Sequence, residues 1–171
     1  ERARILTRQL LAFGRRQLLD MRPLELNGVV ERFVMMIRRT MREDIAIHTR
    51  LYPEPLWFEA DVSQVEQVLM NLSLNAQDAM MNGCDLTIET GTRTVTPGSD
   101  PHHPELKPGR YLTISVIDSG PGMDAAVAER VFEPFYTTKE RGKGTGLGLS
   151  TVYGVAKQHG GHLELLTAPG E

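Results

Sequence analysis

Two glycine-rich segments hold the residues of this chain whose types and spacing best suit chemistry. Gly142 to Ser150 reads G-K-G-T-G-L-G-L-S, and Asp118 to Met123 reads D-S-G-P-G-M. The first lacks the Gly-Lys-Ser/Thr ending of a P-loop and follows no predicted strand, so it is not a dinucleotide fingerprint either. It leads through Thr145 into an apolar helical run, where free N–H groups can hold phosphate oxygens and glycines allow close backbone approach. Together the two segments predict a nucleotide site.

A polar strip on a predicted helix is the second feature. Asn71 and Asn75 lie four residues apart, hence on one face, and Asp78 extends the strip by one turn. Asparagine is a poor helix former, so two on one face need a reason. Its side-chain oxygen suits a Mg²⁺ ion that bridges phosphates. On these residues alone, the alternative is that the amides only tie down neighbouring backbone.

The elements around these residues are predicted from hydrophobic spacing and cap residues. Asn27 is predicted to cap a helix ending near Arg42. Asp61 is predicted to cap the asparagine helix, with Gln64 at the capping-box position. That helix has a predicted core stripe of Val65, Val68, Leu69, Leu72, Ala76 and Ala79. Strands are predicted at 24–26, 45–51, 56–59, 85–95, 110–117 and 162–166, and a further helix at 145–159.

The order of these elements favours an α+β fold. The strands are expected in hairpins rather than in βαβ units, which indicates a mixed, mostly antiparallel sheet covered by helices on one face. Residues 1–19 have apolar side chains spaced 3, 4 and 3 apart, which predicts a helix that needs a partner helix. Residues 20–23 are predicted to be a linker, and residues 97–108 a loop with little structure.

Composition limits the function classes. The apolar and charged fractions, 40% and 24%, are those of a globular protein. A single cysteine fits a reducing compartment, and no secretory signal or membrane-spanning apolar run is present, so a cytoplasmic location is expected. Residues 1–50 hold 11 arginines against 6 acidic residues. Only two aromatic residues, Phe13 and Phe33, lie among them, which favours a solvated helix or a partner surface over a nucleic-acid surface.

Four segments in order resemble the nucleotide-binding boxes of sensor histidine kinases, members of the Bergerat-fold ATPases that include gyrase, Hsp90 and MutL. They are N-L-S-L-N-A-Q-D-A (71–79), D-S-G-P-G-M (118–123), F-E-P-F-Y-T-T-K (132–139) and G-K-G-T-G-L-G-L-S (142–150). The resemblance implies a two-layer α/β sandwich over residues 24–171 that binds ATP and Mg²⁺. It also implies that residues 1–19 are the end of a dimerisation helix, and that the chain is a piece of a longer protein lacking a last strand.

The resemblance assigns roles residue by residue. Asp118 would accept a hydrogen bond from the adenine amino group, Asn75 would ligate Mg²⁺, and Asn71 and Lys139 would act with Asn75 in catalysis. Asp78 stands where many relatives place a basic residue, which predicts weaker phosphate binding or a larger role for the lysines. The complete implied nucleotide-binding set is Asn71, Asn75, Asp78, Asp118, Gly120, Gly122, Met123, Thr138, Lys139, Gly142, Lys143, Gly144, Thr145, Gly146, Leu147, Gly148 and Leu149.

One position distinguishes the ATP-hydrolysing relatives from those that transfer phosphate. The hydrolysing branches place a water-activating Glu four residues before the Mg²⁺-binding Asn, and here that position is Asn71. The resemblance therefore implies slow hydrolysis and transfer of the γ-phosphoryl to a histidine on a dimerisation domain, for relay to a response-regulator aspartate. None of the five histidines lies in a phosphoacceptor-type motif, so the acceptor is expected on a domain absent from this chain, in a homodimeric parent. Alternatives are an ATP-sensing regulatory module, a hydrolysing ATPase and an anti-sigma-type serine kinase.

Overall fold

Our computed structural model of the chain describes residues 19–80, 84–97, 106–140 and 144–170. Residues 1–18 of the predicted N-terminal helix and most of the 97–108 loop lie outside that description. No helix of the described residues is both long and apolar enough to cross a bilayer. The elements in chain order are β1 (Arg22–Glu25), α1 (Leu26–Ile37), β2 (Ile45–Arg50), β3 (Trp57–Ala60), α2 (Val62–Ala79), β4 (Cys84–Val95), β5 (Gly109–Asp118), α3 (Ala125–Arg130) and α4 (Gly148–Gln158).

The strands form two small sheets. One has the order β2-β4-β5, with β2 parallel to β4 and β4 antiparallel to β5; the other pairs β1 with β3 antiparallel. The α+β class with a mixed sheet is confirmed. The expectation that the strands come in hairpins is wrong for β2 and β3, which belong to different sheets. Parallel pairing of β2 and β4 needs a long connection, and α2 lies within it.

The core lies between the sheets and the helices α1 and α2. Its fully buried side chains include Phe33 and Ile37 of α1, Leu69 of α2, and Leu86 and Ile88 of β4. On α2 the predicted stripe is confirmed at its centre. Ala79, at the end of the helix, is exposed, and Ser73 is buried without having been predicted. One face of α2 therefore belongs to the core, and the other is left for the polar strip.

The predicted cap of α1 is wrong. Glu25, not Asn27, caps the helix, and its two oxygens accept from the N–H groups of Asn27 and Gly28 at 3.1 and 2.6 Å. A carboxylate can serve two donors at once, whereas the Asn27 amide donates instead to the carbonyl of Tyr52. The helix also ends at Ile37 rather than near Arg42, and the first strand begins at Arg22 rather than Leu24.

Two further boundaries differ from the sequence prediction. α4 begins at Gly148 instead of Thr145, because Gly146 adopts a positive φ of 64° that no helix allows. Residues 162–166, predicted as a strand, have no strand structure. This segment reaches its neighbours through side chains, as in the contact of Glu164 with Arg93 at 3.3 Å, and not through a backbone ladder.

Candidate functional site

Helix α2 positions the polar strip. Asp61 caps it by accepting from the N–H of Ser63 at 2.9 Å, which confirms the predicted N-cap. Asn71 and Asn75 are half-buried and Asp78 is exposed, so the strip lies at the border between core and solvent. The Asn71 amide donates to the carbonyl of Gly148 at 3.3 Å. The strip is thereby joined to the start of α4, which is 77 residues further along the chain.

The start of α4 lies directly against Asn75. A Cβ on Gly148 would come within 3.2 Å of Asn75 Nδ2, so a side chain there would push the Asn75 amide outward by a few tenths of an ångström. No side chain among the described residues caps the helix, which leaves its first N–H groups free to bind an anion. Free N–H groups beside a neutral amide oxygen fit a phosphate chain with a magnesium ion.

The glycine-rich segment before α4 is held by the Phe132–Lys139 segment. The N–H of Phe135 donates to the Gly146 carbonyl at 2.8 Å, and a Cβ on Gly146 would fall 2.3 Å from the Phe135 carbonyl carbon. Phe135 itself has a positive φ of 69°. At Gly144, a Cβ would lie 2.6 Å from Thr137 Oγ1 and 3.1 Å from Lys139 Cδ. A side chain at Gly146 would therefore collide with the Phe135 backbone, whereas a side chain at Gly144 would displace the side chains of Thr137 and Lys139.

Lys139 forms an ion pair with Asp78 of α2. The lysine side chain is 34% exposed and the aspartate 47%, so solvent screens the pair. The structure thus places Lys139 beside the polar strip, where the sequence predicts it. It also gives Asp78 a partner that the sequence did not reveal.

The D-S-G-P-G-M segment forms a turn at the end of β5. Gly120 N–H donates to Asp118 Oδ1 at 2.9 Å, and a Cβ on Gly120 would approach that oxygen to 2.5 Å and the Ala79 Cβ to 3.6 Å. The turn therefore packs against the last residue of α2. Gly122 has a positive φ of 69°, and the Met123 N–H donates to Thr167 Oγ1 at 2.9 Å.

Of the predicted site residues, Asn71, Asn75 and Asp78 lie on the C-terminal half of α2, and Gly148, Lys139 and Gly120 lie against it. Of the remaining ones, Thr138 and Thr145 are exposed, Leu147 is buried and Leu149 is half-buried, while Gly142 and Lys143 lie outside the described residues. Sequence reasoning missed the backbone role of Phe135 and the packing role of Thr137. The only signal for either was its position in the segment that precedes the glycines.

The described histidines and acidic residues form no separate metal site. Among the residues that the structure describes, no three His, Cys, Asp or Glu side chains come together as metal ligands. His48 contacts Asp85 at 2.9 Å on the exposed side of the sheet, and His159 lies at the end of α4. His102 and His103 lie outside the described residues.

Residues 60–171 match the family described as histidine kinase-, DNA gyrase B-, and HSP90-like ATPase. The chain belongs to this family. It is similar to the sensor kinase CckA of Brucella abortus (strain 2308), with 44% identity over 95% of this chain and 17% of CckA. It is also 32% identical to the sensor histidine kinase ZraS of Klebsiella oxytoca, over 95% of this chain and 32% of ZraS.

Solved structures agree with the family assignment. The catalytic domain of histidine kinase ThkA, in a nucleotide-free form, superposes with a TM-score of 0.63 at 26% identity, covering 82% of each chain. As an ATPase-family domain with sensor-kinase relatives, the chain is an ATP-binding catalytic domain of the histidine kinase type. It spans less than a third of CckA or ZraS.

Proposed function

We propose that this chain binds Mg²⁺–ATP and transfers the γ-phosphoryl group to a histidine of a dimerisation domain. The observation that carries the proposal is the convergence of three segments, up to 77 residues away in sequence, on the C-terminal half of α2. Asn71 and Asn75 contact Gly148, Asp78 pairs with Lys139, and Gly120 packs on Ala79. In this proposal the catalytic domain begins with β1 at Arg22, two residues before the predicted boundary at residue 24, and residues 1–19 and 20–21 are the dimerisation helix and linker.

Different residues of the site bind different parts of the nucleotide. Asp118 presents a carboxylate oxygen, other than the one bonded to Gly120, to the adenine amino group, and Gly122 and Met123 lie beside the base. The free N–H groups at the start of α4 hold phosphate oxygens. Asn75 offers its amide oxygen to Mg²⁺, which when bound offsets phosphate charge. Lys139 adds a positive charge at the phosphate end.

Transfer rather than hydrolysis follows from the chemistry of Asn71. An amide cannot take a proton from water at neutral pH, and this one already donates to the Gly148 carbonyl. In-line transfer depends on positioning and on charge neutralisation, which this site supplies without a general base. The γ-phosphorus–oxygen bond to ADP breaks as the new bond to the histidine nitrogen forms, and ADP leaves.

The partners follow from the proposed reaction. The acceptor is a histidine of a dimerisation hairpin, and the phosphoryl group passes from it to an aspartate of a response regulator. ThkA has been solved in complex with the response regulator protein TrrA, which supports this class of partner. A homodimeric parent and a cytoplasmic location of this domain complete the proposal.

A trans-phosphorylation assay tests the function. The chain is mixed with Mg²⁺, γ-labelled ATP and the purified phosphoacceptor hairpin of CckA. We expect acid-labile, base-stable label on the hairpin and slow release of free phosphate. Asn75→Ala should abolish both ATP binding and labelling. Asp118→Asn keeps an oxygen for the Gly120 N–H but places an NH₂ group opposite the adenine, so it should lose ATP selectivity with the turn intact.

Three outcomes would contradict the proposal. Label on the hairpin that persists in Asn75→Ala would place the chemistry elsewhere. Rapid phosphate release without a hairpin would indicate a hydrolysing ATPase. Tight ATP binding with no transfer would instead favour an ATP-sensing regulatory module of the same fold.

A further inference from the structure

A second polar cluster lies at the opposite end of the helix pair that holds the proposed nucleotide site. Helices α2 and α4 pack side by side, and Asn71 and Asn75 of α2 meet Gly148 at the start of α4. At the other end, the N–H of Asp61, the N-cap of α2, donates to Nε2 of His159, the C-cap of α4, at 3.3 Å. The two helices are therefore tied together at both ends.

His159 is fixed by both of its ring nitrogens. Nδ1 lies 2.9 Å from the carbonyl of Val155, and Nε2 accepts from the Asp61 N–H. This network assigns the proton to Nδ1, because a carbonyl can only accept and a backbone N–H can only donate. The side chain thus joins its own helix to the start of α2.

The Asp61 carboxylate binds the segment that precedes the domain. The side chain is buried, with only 8% of the residue exposed. One oxygen accepts from the N–H and hydroxyl of Ser63, and the other accepts from the N–H of Asp20 at 3.1 Å. The hydrogen bonds from Ser63 and Asp20 outweigh burial and hold the pKa of Asp61 below its usual range. A charged acceptor therefore holds residue 20 against the end of the helix pair.

We propose that Asp61 and His159 form an anchoring junction that fixes residues 19–22 to the α2–α4 pair and couples that segment to the nucleotide site. The inference rests on the proposed function, in which this segment leads to the dimerisation domain. Nucleotide bound at Asn75 and Gly148 restricts the motion of α2 against α4. The hydrogen bond between Asp61 and His159 extends this restriction to the other end of the helix pair, where Asp20 is bound. By reciprocity, the position of the segment then affects the affinity of the site for nucleotide. Asp61 and His159 are positioning residues, since neither lies at the proposed site.

Amide hydrogen exchange of the 171-residue chain tests the junction, with Mg²⁺–AMPPNP as the probe. In the wild type, saturation with the probe should slow exchange at the Asp20 amide. Asp61→Asn keeps an oxygen for the Ser63 N–H but gives the Asp20 N–H a donor instead of an acceptor. We expect exchange at Asp20 to become about tenfold faster in this variant and no longer to respond to the probe.

Matched variants separate the junction from general stability. Ser63→Ala removes a different hydrogen bond to the same carboxylate and should leave the response at Asp20 intact. His159→Phe should abolish the response, whereas His159→Gln, whose amide oxygen can accept from the Asp61 N–H, should restore part of it. If Ser63→Ala also lost the response, Asp61 would contribute only to folding stability, and the proposal would be overturned.

The hydrogen-exchange experiment distinguishes failure of the junction from failure of the proposed kinase function. Binding of the probe without any change at the wild-type Asp20 amide overturns the junction and leaves the nucleotide site standing. Failure of the probe to bind the wild type overturns both, because coupling to an absent site is meaningless. Probe binding and a response at Asp20 without phosphotransfer to the hairpin would keep the junction and contradict only the kinase activity.

Discussion

Gly146 occupies a position that no other residue fits. Its φ is 64°, and a Cβ there would overlap the backbone of Phe135 at 2.3 Å. A Cβ on Gly154, in the middle of α4, would meet nothing within 4 Å beyond the backbone of its own helix. The same change at these two glycines should therefore have opposite effects.

We expect Gly146→Ala to lower the free energy of unfolding by at least about 2 kcal/mol and to reduce ATP affinity, since the Phe135 backbone must move. Gly154→Ala should raise the free energy of unfolding by about 0.5–1 kcal/mol, because alanine is a better helix former than glycine and the space at this half-buried position is open. Urea denaturation monitored by circular dichroism measures the free energy of unfolding of both variants. Equal effects of the two variants would mean that the contact with Phe135 is absent in solution.

At the phosphate end of the proposed site, the ion pair of Asp78 with Lys139 occupies a lysine that a bound triphosphate would also attract. A bound triphosphate would meet the charge of Asp78 and would compete with it for Lys139. We expect Asp78→Asn to raise ATP affinity and Lys139→Met to lower it, with both effects shrinking as salt rises because the pair is partly exposed. Isothermal titration calorimetry gives the affinities.

A charge-matched control distinguishes local from global electrostatics in that experiment. Glu59→Gln removes the same charge from β3, which pairs with β1 in the smaller of the two described sheets, and should leave ATP affinity unchanged. A drop in affinity in Asp78→Asn would instead assign Asp78 to the nucleotide contacts, as the sequence resemblance implies.

Several residues of the candidate site stand out from the sequence alone. Asn71 and Asn75 do so because asparagine is unusual twice on one helix face, and Asp118 does so because it begins the D-S-G-P-G-M segment. The pairing of Asp78 with Lys139 was not predictable, since the two are 61 residues apart and each alone looks like a solvated charge. The positive φ of Phe135 was not predictable either, because it depends on a contact with Gly146 in the following glycine-rich segment.

At the scale of elements, the interiors of helices and strands follow the sequence and their ends depend on tertiary contacts. The hairpin of β4 and β5 and the body of α2 agree with the predicted periodicity. The start of α1 depends on Glu25, whose carboxylate also accepts from the Leu56 N–H at 3.2 Å, a contact 31 residues away in sequence. The start of α4 depends on the conformation of Gly146. Local pattern alone does not contain either contact.

The cap of α1 predicts how stability changes with pH. Burial disfavours the charged form of Glu25, but hydrogen bonds from the N–H groups of Gly28, Leu56 and Asn27 outweigh it and keep the pKa of Glu25 below its usual range. A folded-state pKa below the unfolded one contributes stability that is complete above the unfolded pKa of about 4.3. That contribution is lost as the pH falls through the lower folded pKa.

We therefore expect the free energy of unfolding to decline from about pH 6 toward pH 3, and to decline less steeply in Glu25→Gln. The variant should already be less stable than the wild type at pH 7. Its single neutral amide oxygen is a weaker acceptor than the carboxylate, and its NH₂ group cannot accept from the remaining N–H groups of Asn27, Gly28 and Leu56. Urea titrations at several pH values measure both slopes. Parallel slopes for the two proteins would show that Glu25 does not carry this dependence.

At the scale of the whole molecule, the site is assembled from segments that fold together. Helix α2 gives one face to the core and the other to the polar strip, so Leu69 and Ala76 fix its position while Asn71 and Asn75 carry its proposed function. The start of α4 and the turn after β5 reach the strip from distant parts of the chain. A ligand that bridges them should therefore stabilise the whole cooperative unit rather than one loop.

Thermal unfolding tests this expectation. A nucleotide present at 100 times its Kd adds about 2.7 kcal/mol to the free energy of unfolding. For a chain of this size, each kcal/mol raises Tm by about 2–4 °C, so Mg²⁺–AMPPNP should raise it by about 5–11 °C. The shift should fall when EDTA removes Mg²⁺, and should disappear in Asp118→Asn although the Tm of that variant without nucleotide stays close to the wild-type value. A shift of equal size with Mg²⁺–GTP would mean that the site reads only the phosphates, and Asp118 would then have no part in choosing the base.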